Sequence, residues 1–339
     1  MLFRLLLAIS LATGSLLTAS GASAQQLSFD AYLQILIARA RAEGVSEPTI
    51  RRMTEGLTAN TRVIELDRAQ PGTSSGTSFA PLAPYIARHV DTARIRGGRN
   101  AHAAAGSTLT RIEREYGVPG HIIVAIWGHE TNYGSYKGNF DLSRSLATLA
   151  WEGRRRELFA NEWIALMKVA DRGYPRSSLI GSWAGAFGNP QFLPSVYLRL
   201  AVDGDGDGRA DIFDNRADTL ASIANYFRDA GWRTGQPWGV RASVPGGFNW
   251  SAVRSRVVSP TCPRVHERHS QWRTVREWRQ LGVQPQRPLG DDVLATLFQP
   301  DGAGTPAWLL TTNYRVILEY NCSNYYAMSV GLLADEIVQ

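Results

Sequence analysis

The sequence predicts a mostly helical α+β protein in which a helical core carries a small β-rich lobe. Apolar residues recur at helical spacing through the first half of the 339-residue chain, and the connections between these segments are short enough for one compact helical core. From Gln236 to about Leu310 the character changes, and proline and glycine punctuate short β-prone runs. No internal repeat, heptad array or low-complexity tail interrupts this plan.

At the N-terminus, Met1-Leu2-Phe3-Arg4 gives a short basic start, and Leu5 to Leu17 form an apolar run too short to span a bilayer. Ala22-Ser23-Ala24 then fits a small-residue cleavage site. Residues 1–24 therefore read as a secretory signal peptide and residues 25–339 as the mature domain. No cysteine stands near that site, so the expected product is a soluble periplasmic protein with no stable membrane anchor after cleavage, and retention as an uncleaved anchor is the alternative. Phe29, Tyr32, Leu33, Leu36, Ile37 and Ala40 mark a first helix that Gly44 closes, and Ser46 caps a second that runs through Glu55. Gln70 to Ser78, with Pro71, Gly72 and Gly76, reads as a surface loop. Helices follow near 82–94, 99–116, 119–131, 144–152 and 154–171. In the lobe, at about 236–310, strands are expected at Val240 to Val244, Thr296 to Phe298 and Trp308 to Thr311, with one amphipathic helix near 270–281. Asn324 to Val338 returns to helix and packs back on the core.

The formal net charge of +6 suits an anionic polymer, an acidic membrane surface or a nucleic acid, and does not choose among them. Only Lys137 and Lys168 are lysines; every other basic residue is arginine. Cys262 and Cys322 are the only cysteines, and in a chain with an export signal a single disulfide is their default state. Zinc at Cys262, His266 and His269 would lack the fourth ligand that a structural site wants.

The chemistry centres on Ile122-Ile123-Val124-Ala125-Ile126-Trp127-Gly128-His129-Glu130-Thr131-Asn132-Tyr133-Gly134. This segment delivers one carboxylic acid, Glu130, from the end of an almost wholly apolar helix. Taking a carboxylate out of water raises its pKa toward the range where it donates a proton near neutrality. A glycosidase-type general acid requires that. On this segment alone, a helix end whose Glu130 turns to solvent past Trp127 is an equal reading.

A second constellation is Asp203-Gly204-Asp205-Gly206-Asp207-Gly208-Arg209-Ala210-Asp211-Ile212-Phe213-Asp214. Counted from Asp203, carboxylates fall at positions one, three, five, nine and twelve, a glycine falls at six, and Arg209 offers its backbone carbonyl at seven. This is the ligand spacing of an EF-hand-like calcium loop, with Asp214 in place of the usual Glu. So many carboxylates without a cation would repel one another. A metal-free acidic turn is the alternative.

Downstream of Glu130, the run Gly181-Ser182-Trp183-Ala184-Gly185-Ala186-Phe187-Gly188-Asn189-Pro190-Gln191-Phe192-Leu193-Pro194-Ser195 gathers small residues, aromatics and an amide. Together with the Glu130-Thr131 pair it resembles the lytic transglycosylases of the membrane-bound lytic transglycosylase B family, within the lysozyme-like superfamily. There a Glu-Thr pair at a helix end is followed by Gly-Ala-x-Gly-x-x-Gln-Phe-x-Pro-Ser. The resemblance spans about Phe29 to Ile337. It implies a lysozyme-like core, with Glu130 in the catalytic position. Arg154 and Arg155 match a paired-arginine site for the carboxylates of a stem peptide; an exposed basic helix face is their other reading, and Glu152-Gly153 replaces the family's Tyr-Pro before them. Ser182, Gln191, Phe192, Tyr226, Tyr320, Asn321 and Tyr326 match sugar-contacting positions, and Tyr85 falls where the family places a cleft tyrosine. Asn189-Pro190 departs from the usual Tyr-Gly or His-Thr pair, a change expected to alter one subsite.

The same resemblance implies a structural calcium at Asp203, Asp205, Asp207, Arg209, Asp211 and Asp214, no organic cofactor, and a monomer acting on peptidoglycan glycan strands and stem peptides rather than on nucleic acid. The activity implied is cleavage of the β-1,4 bond between N-acetylmuramic acid and N-acetylglucosamine with formation of a 1,6-anhydromuramyl end. A hydrolytic muramidase, which would want a second carboxylate such as Asp141, and a non-catalytic peptidoglycan-binding protein are the alternatives. Other catalytic patterns fail on spacing. Tyr133 stands where a zincin needs its second His, and Ser182 follows Gly181 directly, unlike the serine of a nucleophile elbow.

Overall fold

The computed structural model describes residues 27–70, 79–259, 262 and 264–339. The signal-peptide reading and most of the 70–78 loop reading lie outside these residues. No helix among the described residues is long and apolar enough to cross a membrane.

The chain opens with α1 (Phe29–Ala42), α2 (Glu47–Thr54) and α3 (Thr61–Arg68). Ser46 caps α2 as its sequence suggested, its side chain accepting from the Thr49 amide. The helix expected near 82–94 is interrupted. α4 (Ala83–His89) ends at Val90, and Asp91 starts α5 (Thr92–Ala104) by accepting from the Arg94 amide at 2.9 Å. A short polar residue competes well for that capping position, which a count of apolar periodicity does not register. After α6 (Gly106–Tyr116) comes α7 (Gly120–Thr131), the apolar helix that carries Glu130.

A two-residue strand β1 (Phe140–Asp141) leads into α8 (Leu142–Glu152) and α9 (Arg156–Asp171), and β1 pairs antiparallel with β2 (Ile180–Gly181). Two further helices, α10 (Pro194–Leu200) and α11 (Arg216–Asp229), flank the acidic loop. The lobe supplies β3 (Gly239–Ser243), α12 (Trp250–Val253), β4 (Arg273–Thr274), α13 (Val275–Gln280), β5 (Gln284–Pro285), β6 (Leu294–Phe298) and β7 (Ala307–Thr311). Its five strands form an antiparallel sheet in the order β4-β6-β7-β3-β5. α14 (Thr312–Tyr320) and α15 (Asn324–Ile337) close the chain.

Among the described residues, burial separates the interior into three clusters. One joins α6, α7, α11, α14 and α15 around Ile112, Ile126, Phe227 and Met328. A second joins α1, α2, α8, α9 and α10 around Leu36, Met53, Trp163 and Phe187. The third lies under the sheet, around Trp278 and Leu297. Tyr226 and Tyr320 pack against both helical clusters. They therefore mark the seam between the two halves of the helical core, and the candidate site lies along it.

Cys262 and Cys322 are joined by a disulfide that ties the lobe to the α14–α15 connection. This removes the thiolate that the zinc alternative needs. His269 is also unavailable to a metal, because its ring lies between Thr296 Oγ1 at 3.0 Å and Asn324 Oδ1 at 2.8 Å.

Candidate active site

α7 places Glu130 by an unusual ending. Asn132 and Tyr133 both adopt left-handed backbone conformations, with φ of 49° and 58°, which cost roughly 1–2 kcal/mol each for residues other than glycine. Asparagine tolerates this geometry; tyrosine needs compensation. It comes from a notch formed by Gly97, Gly98 and Gly128, where an added Cβ would stand 2.6–2.8 Å from atoms of the Tyr133 side chain. The phenol OH donates to the Arg94 carbonyl at 2.7 Å, anchoring the turn to α5. The chain thus reverses directly after Glu130 and Thr131.

Glu130 is half-buried. Tyr326 OH, from α15, donates to Glu130 Oε1 at 2.5 Å. Burial pushes the Glu130 carboxyl up to about 7, while the Tyr326 hydrogen bond pulls the other way by favouring the ionised form. Tyr85 and Tyr320 also feel the Glu130 charge, and their phenols are raised first by burial and then by that carboxylate. The adjacent His129 is kept neutral, its pKa lowered to about 3 by burial and by the Arg94 guanidinium. Arg94 Nη1 lies 3.3 Å from His129 Nδ1.

The expected tyrosines converge. Tyr85 stacks on His89 at 3.8 Å between ring centres and lies 5.4 Å from Tyr325. Tyr320 lies 4.7 Å from Tyr226 and 6.1 Å from Phe192, and its OH donates to the Pro190 carbonyl at 2.6 Å. Tyr226 OH donates to the Glu319 carbonyl at 2.8 Å. Phe192 is only 2% exposed, so it backs Tyr226 and Tyr320 and does not offer an open stacking face. Gln191, at φ 51°, turns its amide nitrogen inward to the carbonyls of Gly188 and Lys137. Ser182 stabilises its own turn, its Oγ accepting from the Ala186 amide at 3.0 Å. Asn321 is exposed at the end of α14, next to Tyr320.

Arg154 and Arg155 are placed differently from the other expected site residues. Both hold Asp67, a carboxylate 1% exposed on α3, at 2.8 and 2.5 Å. Neither is an open basic helix face. Asp67 is the partner that sequence reading missed, because it lies in a helix absent from the expected set.

The acidic loop brings together only part of the expected set: among the described residues, Asp203 and Asp205 converge and the carboxylates of Asp207, Asp211 and Asp214 do not join them. Asp203, Asp205 and Asp218 each bring a carboxylate oxygen within 4.8 Å of the others. Asp214, expected as the last ligand, is exposed and pairs with Lys137 Nζ at 3.0 Å. Asp218, outside the expected set, joins the cluster because α11 begins at Arg216 and turns that side chain back under the loop, where it accepts from the Gly204 and Asp211 amides at 2.7 and 2.6 Å. Asp207 and Asp211 accept from backbone amides of the loop, and the Arg209 guanidinium lies over the Tyr174 ring. Three converging carboxylates, one buried, form a hard-oxygen donor set that fits calcium.

Residues 28–335 match the family described as Transglycosylase SLT domain. The chain belongs to this family. It is 35% identical over 284 residues to membrane-bound lytic murein transglycosylase B of Escherichia coli strain K12, covering 80% of this chain and 72% of that protein. Its fold is similar to SltB3 from Pseudomonas aeruginosa in complex with NAG-anhNAM-pentapeptide, with a TM-score of 0.82 and 38% identity over 92% of this chain and 80% of that one. It is also similar to Escherichia coli Slt35 in complex with calcium, with a TM-score of 0.74 and 28% identity over 91% and 92% of the two chains.

Proposed function

We propose that the chain is a peptidoglycan lytic transglycosylase whose catalytic unit spans residues 25–339, with Glu130 as its acid and then its base. The observation that carries this reading is the Glu130 carboxyl, half-buried at the seam of two helical clusters, raised to about 7 and held by Tyr326. In its protonated form Glu130 donates to the oxygen of the bond between N-acetylmuramic acid and N-acetylglucosamine. The substrate's acetamido oxygen relieves the oxocarbenium charge, so no second enzyme carboxylate is needed. The ionised Glu130 then takes the proton of the muramyl C6 hydroxyl as that oxygen closes on C1, and a 1,6-anhydro end forms without water.

Asp141, on which a hydrolytic reading would rely, caps α8 through the Arg144 amide and accepts from Arg176 at 2.7 Å. That commitment favours transfer over hydrolysis. The Tyr85, Tyr226 and Tyr320 rings suit sugar faces, with Ser182, Gln191 and Asn321 alongside and Phe192 behind them. Arg154 and Arg155 present their outer surfaces to the carboxylates of a stem peptide while Asp67 fixes them. A calcium ion at Asp203, Asp205 and Asp218 would hold the loop after α10. The protein works in the periplasm as an unanchored monomer after loss of its signal peptide. Glu130→Gln tests the reading. It should keep the fold and glycan binding yet lose about 10²- to 10⁴-fold in release of soluble muropeptides, and full activity would place the acid elsewhere.

A further inference from the structure

Asn189 stands where three segments meet: the catalytic helix α7, the run Gly185 to Ser195, and the end of the acidic loop. Its side chain is 6% exposed, and both of its polar atoms are used. Oδ1 accepts from Trp127 Nε1 at 3.0 Å, and Nδ2 donates to the carbonyls of Ile212 at 3.2 Å and Phe213 at 2.9 Å. The backbone continues the join. Asn189 N–H donates to the Ile212 carbonyl at 2.8 Å, and its own carbonyl accepts from Thr131 Oγ1 at 3.1 Å. Trp127 and Thr131 bracket Glu130 on α7, so one residue grips the catalytic turn on both sides. The next residue, Pro190, receives the Tyr320 hydroxyl. The pair expected to alter a sugar subsite therefore turns inward and fixes the groups around the acid.

We propose that Asn189 is a positioning residue for Glu130, carrying the conformation of the acidic loop to the end of the catalytic helix. The link has no gap. Asp218, one of the three converging carboxylates, accepts from the Asp211 amide at 2.6 Å. The next two residues, Ile212 and Phe213, offer the carbonyls that Asn189 holds, and Asn189 holds Trp127 and Thr131. Only an amide supplies both the acceptor for the indole and the donors for the two carbonyls. A loop that settles on binding a cation thus sets where Glu130 stands against Tyr326, Tyr85 and Tyr320, with Arg94 behind them. The inference rests on Glu130 being the acid.

The test compares wild type, Asn189→Leu and Glu130→Gln, each checked for folding by circular dichroism. Asn189→Leu keeps the branched shape and removes all three side-chain hydrogen bonds. Its kcat on soluble glycan strands should fall about 10- to 100-fold, with KM changed less than about threefold, and its pH–rate limb should shift. Calcium alone, followed by NMR, should move the Trp127 indole N–H signal in wild type and leave it unmoved in Asn189→Leu. A folded Asn189→Leu with wild-type kcat, pH limb and calcium response overturns the inference. Should that variant not fold, Thr131→Val removes the hydroxyl donor to Asn189, and an unchanged kcat there overturns it equally. An inactive Glu130→Gln beside a wild-type Asn189→Leu sinks this inference alone. An active Glu130→Gln sinks the acid assignment on which it stands.

Discussion

Glu130 and Asp203 are both carboxylic acids, and the molecule uses them in opposite ways. Glu130 is crowded by protein and receives one side-chain hydrogen bond, so burial outweighs its partner and the neutral acid persists to about pH 7. Asp203 stands exposed in its loop, and the amides of Gly208, Gly206, Asp205 and Asp207 hold its carboxyl below the usual range. The number of donors and the access of water decide the outcome, not the functional group. The first environment suits a proton donor. The second makes a standing anion suited to a cation.

Three experiments sharpen that contrast. The largest effect concerns the loop. Calcium at one hundred times its Kd should stabilise the protein by about 2.7 kcal/mol, and Asp205→Asn with Asp218→Asn should abolish the rise in melting temperature. An undiminished calcium shift in that double variant would remove the metal assignment.

The next effect is smaller and concerns Glu130. Because its carboxyl is raised, the acid form is present below about pH 7 and is lost as pH rises through that value, so the rate should fall on the alkaline side. Tyr326→Phe removes the donor that favours the ionised form, and the alkaline limb should therefore move up by about one pH unit, the worth of one hydrogen bond to a charged group. A limb that stays put or moves down would show that Tyr326 does not govern the acid. The smallest effect separates Asp214 from the cation. Asp214→Ala should leave the calcium stabilisation within about 0.5 kcal/mol of wild type, and its disappearance would return Asp214 to the ligand set.

Much of this was legible in the residues. The apolar run before Glu130, the strands β3, β6 and β7 and the closing helix follow from local pattern, because burial and periodicity are written in neighbouring residues, whereas the tyrosine set comes from the resemblance to the transglycosylase family. What was hidden depends on distant partners. Asp218 lies beyond the twelve-position spacing and reaches the loop only because α11 starts at Arg216. Asp67 sits on α3, outside the expected helices, so the arginine pair read as free. The reversal after Glu130 needs glycines on α5 and α7 around a tyrosine ring, and no local pattern of tyrosine announces a left-handed turn. Asn189 looked like a subsite change because its hydrogen-bond partners come from two other segments.

The fate of the muramyl C1 separates transfer from hydrolysis. Mass spectrometry of muropeptides released from purified peptidoglycan by the wild-type protein reads it directly. A transglycosylase releases products one water lighter than those of lysozyme with the same stem peptides, lacking a reducible muramic acid end, and that is the expected result. Products carrying reducing ends would contradict the transglycosylase assignment and make the enzyme a hydrolase.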